Sequence, residues 1–221
     1  MLTKKQIRFC LDKMGEMFPN AHCELIHRNP FELTIAVLLS AQTTDENVNR
    51  VTANLFEKYK TPEDYLAVDV SELENDIRSI GLFRTKAKNI QKLCRMLIDD
   101  FNGVIPQTRE ELERFPGVGR KTANVVMSVA FGEPAIAVDT HVERVAKRLA
   151  FCRWKDSVLQ VEKTLQKKIP VEEWSISHHR FIFFGRYHCK SQNPNCTECP
   201  LLEVCREGKK RMRKLERAQL K

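Results

Sequence analysis

The chain has 221 residues, 42% of them hydrophobic, and carries a formal net charge of +8 with a pI near 9.1. That length suits one large domain or two smaller ones, and the positive balance favours a polyanionic partner through counterion release and steering. A membrane protein and a secreted protein are not expected: the best apolar run, Ile35 to Leu39, is five residues, far short of a bilayer span, and Met1-Leu2-Thr3-Lys4-Lys5 has no apolar leader region.

Glycine is scarce, at 8 residues, and strand-type alternation is hard to find. Ala, Leu, Glu and Lys abound, so the expected fold is all-α. Thr3 to Phe18 predicts an amphipathic helix with Ile7, Cys10, Leu11, Met14 and Met17 on one face, ended by Phe18-Pro19-Asn20. Pro30 begins the next, Phe31 to Ser40, apolar nearly all round and therefore central to its domain. Its exit, Ser40-Ala41-Gln42-Thr43-Thr44-Asp45, is small and polar. Thr44 suits the N-cap of the following helix, Asn47 to Tyr59. Gln42 reads locally as an ordinary loop residue.

Further helices are expected over Pro62 to Val68, Ser71 to Ile80 and Thr85 to Phe101. Leu82, between Gly81 and a run of cations, has two readings. It is the apolar contact that closes a glycine-ended helix, or an apolar wedge of the kind duplex-kinking proteins insert between base steps. After the hairpin described next, Gly132-Glu133-Pro134 breaks the chain. Ala135 to Val138 is a short apolar connection, and helices follow over Asp139 to Leu149, Lys155 to Ile169 and Val171 to Tyr187. The tail from Gly208 is strongly basic and reads as a solvated helix end, a frayed tail or a DNA-tracking arm.

Thr108 to Arg114 is charged and helical in character, Phe115-Pro116-Gly117-Val118-Gly119 breaks the pattern, and Arg120 opens a helix with Ala123, Val126, Met127 and Ala130 at helical spacing. Two glycines at a helix N-terminus leave bare backbone N–H groups beside Arg120 and Lys121, an anion site for which phosphate is the natural ligand. A Walker A loop needs Gly before the lysine, where Arg120 stands, and a dinucleotide fingerprint needs a third Gly where Thr122 stands. The turn therefore fits a polymer's backbone phosphate better than a nucleotide cofactor. The plain alternative is a Pro-Gly connection between helices.

Cys189, Cys196, Cys199 and Cys205 have the spacing C-x6-C-x2-C-x5-C. Four thiolates in one short loop suit a single centre, either zinc or an iron–sulfur cluster, and the chemistry alone leaves both open. Cys10, Cys23, Cys94 and Cys152 are scattered and read as small buried hydrophobes.

Phe115-Pro116-Gly117-Val118-Gly119-Arg120-Lys121-Thr122-Ala123, followed by Val138-Asp139-Thr140-His141 and by the four-cysteine loop, resembles the endonuclease III family of DNA glycosylases over about Leu11 to Cys205. The resemblance implies two helical lobes flanking a DNA-binding cleft. One is 22–132, with a helix-hairpin-helix at about 108–131; the other is 1–21 plus 133–221, with the cluster loop 189–205. It implies a [4Fe-4S] cluster on the four cysteines. It also implies a bifunctional DNA glycosylase and AP lyase of base excision repair that removes oxidised pyrimidines from duplex DNA. Lys121 is then the nucleophile that captures C1′ as a Schiff base and permits β-elimination, and Asp139 the carboxylate that stabilises positive charge or moves protons. Gln42 fills the gap left by the departed base and Leu82 wedges the stack, with Gly117, Val118, Gly119, Arg120, Thr122 and His141 also meeting DNA. The expected partner is double-stranded DNA carrying a damaged base or abasic site, and the expected state a monomer in a bacterial-type cytoplasm, associated with the nucleoid. Some relatives carry a more basic cluster loop; here the only cationic residue between the first two cysteines is Lys190, with Arg186 just outside. Read locally, Lys121 is also a phosphate-binding cation and Asp139 an N-cap. The rival functions are a thymine-mismatch glycosylase and a non-catalytic helix-hairpin-helix DNA-binding module.

Overall fold

The computed structural model describes residues 1–219, and every regular element among them is helical. The chain divides into two compact units, Cys23–Glu133 and Met1–His22 with Pro134–Lys221.

The unit Cys23–Glu133 is built on α2 (Pro30–Ser40), in which Leu33, Ile35, Ala36, Val37, Leu38 and Leu39 are all buried. Each such aliphatic side chain contributes about 1.5–3 kcal/mol on leaving water, so a helix without a polar face belongs at the centre. Around it lie α3 (Asp45–Lys58), α6 (Phe83–Phe101) and α8 (Arg120–Phe131), while α4 (Pro62–Leu66) and α5 (Val70–Asp76) pack on α6 and α7 (Arg109–Leu112) packs on α8. Thr44 caps α3 as its sequence indicates, its Oγ1 accepting from the Asn47 N–H at 3.3 Å. The helix expected to reach Ile80 ends at Asp76. Ile77 and Ile80 are both buried, and a tight turn closed by the Ile80 N–H on the Ile77 carbonyl at 2.8 Å turns both inward. α6 begins at Phe83, two residues ahead of expectation, because Leu82 itself serves as its N-cap.

The other unit joins α1 (Lys4–Met17), α9 (Thr140–Arg148), α10 (Val158–Lys168), α11 (Trp174–Phe183) and α12 (Arg206–Gln219). Leu11, Met14, Val142, Val145, Phe151, Phe181 and Phe184 share its core. The single helix expected over Val171 to Tyr187 is three pieces: a 3₁₀ turn Val171–Glu173, α11, and a π-helical turn Phe184–His188. Within the π turn, Gly185 lies so close to α9 that a Cβ there would stand 2.9 Å from the His141 Cβ. That approach draws the wider turn against α9, and the Cys189 N–H closes it on the Phe184 carbonyl five residues back at 2.6 Å. No helix among the described residues is long and apolar enough to cross a membrane.

Candidate functional site

The hairpin turn between α7 and α8 is held by its glycines. Gly117 has φ +84°, a left-handed conformation that disfavours a side chain. A Cβ there would also stand 2.8 Å from Asn89 Nδ2 on α6 and 3.3 Å from Leu38 Cδ1 on α2, so the turn seats directly on those two helices. Gly119 is the N-cap of α8, with no side-chain cap and open space where a Cβ would be. The first turn of α8 thus presents backbone N–H groups that no capping side chain covers. Lys121 is exposed on that turn, Arg120 and Thr122 are half-buried, and Val118 is buried, so Val118 offers a ligand its backbone rather than its side chain.

Besides Asn102 at the end of α6, two non-glycine residues of the same unit adopt left-handed backbone angles, on neighbouring loops: Gln42 at φ +57° and Leu82 at φ +60°. Such conformations cost roughly 1–3 kcal/mol each. Both side chains are exposed, Leu82 by 60%, which rules against Leu82 as a buried helix-closing contact. The loops are tied together. Thr43 Oγ1 accepts the Gly81 N–H at 3.3 Å, and Asn47 Nδ2 donates to the Ser79 carbonyl at 3.0 Å.

In the other unit Asp139 is the N-cap of α9. Its Oδ1 accepts from the His141 and Val142 N–H groups at 2.9 and 2.8 Å. The carboxylate is therefore fixed by the helix it starts, and the buried run Ala135–Val138 anchors the chain before it. His141 is half-buried, and burial pushes its pKa below the usual histidine value. Its Nδ1 lies 3.1 Å from Arg144 Nη2; because a guanidinium only donates, Nδ1 accepts and the ring proton resides on Nε2.

Two arginines one turn apart on α9 hold the start of the cysteine loop. Arg144 donates to the Gly185 carbonyl at 2.8 Å and the Cys189 carbonyl at 3.3 Å. Arg148, only 8% exposed, donates to the carbonyls of Lys190 at 2.6 Å and Ser191 at 2.9 Å, and its Nη1 is 3.5 Å from Cys189 Sγ. Cys189, Cys196, Cys199 and Cys205 line one small cavity, walled also by Leu149, Phe184 and His188. None of the four is in a disulfide. Burial pushes the Cys199 thiol up to about 11, so a metal centre entering here would have to displace protons. Among the described residues no three His, Cys, Asp or Glu side chains are drawn tightly enough together to hold one metal ion. His188 Nε2 is buried without a hydrogen-bond partner.

Of the residues the sequence singles out, Gln42, Leu82, the hairpin and Lys121 belong to the unit Cys23–Glu133, and Asp139, His141 and the cysteines to the other. Arg144 and Arg148 were not singled out. Their only sequence signal is a pair of cations four residues apart behind Asp139, which on any helix reads as a solvated face.

An all-helical chain whose hairpin opens a glycine-capped, lysine-bearing helix, followed by an Asp-capped helix and a four-cysteine cavity, has the architecture of a helix-hairpin-helix DNA repair protein. The family model described as HhH-GPD superfamily base excision DNA repair protein matches residues 35–171. The chain is 70% identical over 214 residues to endonuclease III of Bacillus subtilis, covering 97% of this chain and 98% of that one. A solved structure of a trapped endonuclease III–DNA covalent intermediate superposes with a TM-score of 0.94 at 74% identity, covering 96% of this chain and 100% of that chain. A thermostable thymine-DNA glycosylase superposes with a TM-score of 0.82 at 26% identity, covering 93% and 98%. The chain belongs to the HhH-GPD superfamily, and within it to the endonuclease III family.

Proposed function

We propose that this base excision repair DNA glycosylase and AP lyase removes oxidised pyrimidines from duplex DNA, with Lys121 as nucleophile and Asp139 as the assisting carboxylate. The observation that carries the reading is the start of α8, where Lys121 stands exposed beside the uncapped N–H groups of a glycine N-cap. Those groups and Arg120 receive a backbone phosphate, and Lys121 is presented next to it.

In the reaction, the neutral Lys121 amine attacks C1′ and the C1′–N bond breaks, the electron pair leaving with the base, which takes up a proton. Loss of the amine proton and ring opening leave a Schiff base between Nζ and C1′. Abstraction of a C2′ proton then expels the 3′ phosphate, and water releases the lysine. Asp139, held in place by two N–H groups, stabilises the positive charge that develops at C1′ or moves protons. Gln42 occupies the vacancy in the duplex, pairing with the orphaned base through an amide that both donates and accepts. Leu82 parts the neighbouring stack. Gly117, Val118, Thr122 and His141 complete the DNA contacts. The reading places the chain in a bacterial-type cytoplasm, associated with the nucleoid and acting as a monomer.

Four thiols around one apolar-walled cavity, at the C-x6-C-x2-C-x5-C spacing of the endonuclease III cluster loop, support a [4Fe-4S] cluster on Cys189, Cys196, Cys199 and Cys205. Such a cluster would supply a rigid cross-link between the end of the π-helical turn, the loop and the start of α12. Arg148 and Arg144 orient its first ligand.

Borohydride trapping on a duplex carrying thymine glycol tests the reading. A covalent adduct is expected with that duplex. An adduct formed only with a T·G mismatch would substitute the thymine-mismatch activity, and binding with no adduct on any duplex, abasic DNA included, would leave a non-catalytic module.

A further inference from the structure

Lys86, in the first turn of α6, is only 5% exposed. Its Nζ donates to the carbonyls of Leu39 at 2.9 Å and Ala41 at 2.6 Å. No acidic side chain among the described residues pairs with it. Burial alone pushes its pKa below the usual lysine range. A buried cation without a carboxylate is expensive, and its compensation here is the carbonyl end of α2, where the helix dipole is negative. An amine donates both of these bonds whether or not it holds its third proton.

What Lys86 grips is informative. The Ala41 carbonyl belongs to the peptide plane that leads directly into Gln42, so pinning that oxygen restrains the left-handed φ of Gln42. The backbone N–H of Lys86 donates to the Leu82 carbonyl at 3.0 Å, closing the first turn of α6 on the other left-handed residue. One residue therefore holds both strained positions, by its side chain on one loop and its backbone on the other. The Thr43–Gly81 hydrogen bond spans the same two loops, but through an exposed hydroxyl.

We propose that Lys86 is a positioning residue that locks the Gln42 turn to the start of α6, so that Gln42 and Leu82 enter the duplex in fixed register. The inference rests on the reading of Gln42 and Leu82 as plug and wedge. Lys86 touches no DNA; it acts by keeping the two side chains preorganised, so that base extrusion does not have to pay for ordering the loops.

The test uses the full-length, iron-loaded protein and Lys86→Met, which keeps the stem and removes the donors. Single-turnover excision of thymine glycol at saturating enzyme is compared with strand cleavage at a preformed abasic site. The fluorescence of 2-aminopurine beside the lesion reports extrusion. Lys86→Met is expected to slow excision and extrusion together by about tenfold while abasic cleavage stays within about threefold. Lys86→Arg, which restores donors, should recover part of the extrusion rate. In a Gln42→Ala, Leu82→Ala background Lys86→Met should add little, because residues acting as one unit are not additive. Excision and extrusion within about twofold of wild type, or equal loss on both substrates, would overturn the inference. If Lys86→Met does not accumulate as folded protein, Lys86→Gln, which keeps a single donor group, is judged by the same criteria. The background variants separate the two readings. If Gln42→Ala and Leu82→Ala lose excision selectively and Lys86→Met does not, only the Lys86 inference fails; if they lose nothing selectively, the plug-and-wedge reading fails and takes the inference with it.

Discussion

Thr43 Oγ1 accepts the backbone N–H of Gly81 at 3.3 Å, so the residue after Gln42 is bonded to the residue before Leu82. Two loops far apart in sequence are in this way one surface feature bearing a polar and an apolar side chain. Extruding a nucleotide costs a few kcal/mol of stacking and pairing. Gln42→Ala and Leu82→Ala should each slow excision of a damaged base from duplex DNA by about tenfold or more. Cleavage at a ready-made abasic site, where there is no base to extrude, should change little. Single-turnover rates on the two substrates make the comparison, and equal loss on both assigns these residues to general binding or folding.

Lys121→Gln should abolish borohydride cross-linking to abasic DNA. Duplex affinity should remain within about tenfold, because one phosphate-range cation is a small part of a polyelectrolyte interface. Gel retardation and trapping on the same preparation read both quantities. An adduct that persists in the variant would move the nucleophile elsewhere.

The cysteine cavity should hold about four iron per chain, the content of one Cys₄ cubane. Arg148→Met removes donors to the carbonyls of Cys189, Lys190 and Ser191 and to the Cys189 sulfur, a loss on the order of 3 kcal/mol for charge-assisted bonds. The variant should lose iron to a chelator several times faster than wild type. Iron analysis and the decay of the visible charge-transfer band follow this, and stoichiometric zinc in anaerobically purified protein would defeat the cluster assignment.

Acid should destabilise the unit containing α11. His179 is packed against the His178 ring, and burial, with repulsion from His22, pushes its pKa down to about 4. Its folded pKa lies below the ordinary histidine value, so as pH falls from about 6.5 the unfolded chain takes up the proton first and stability is lost. The loss continues until about pH 4 and is at most about 3 kcal/mol. Burial lowers the pKa values of His141 and His188 in the same direction, so His179→Gln should flatten part of this slope. Thermal midpoints of variant and wild type at pH 7 and pH 5 measure it; parallel slopes would show that His179 is not the source.

The all-helical class, the buried character of α2, the Thr44 and Asp139 caps and the glycine turn before Lys121 are legible in the sequence because each rests on local chemistry. Periodicity reports a buried face, a hydroxyl or carboxylate three residues from an N–H reports a cap, and glycine reports a backbone that must bend or be approached. Lys121 and the four cysteines stand out for the same reason, since their spacing is itself the signal. The roles of Arg148, Lys86 and Gly185 are decided only in three dimensions. A lysine among helix formers looks solvated until the fold brings the Leu39 and Ala41 carbonyls to it. An arginine on α9 looks like surface charge until the loop after Phe184 returns to meet it. The π turn could not be read from Val171–Tyr187 because nothing in that segment demands it; it arises where Gly185 packs on His141. Local propensity determines which segments are helices, whereas burial of a polar group and the partner that satisfies it depend on residues tens of positions away.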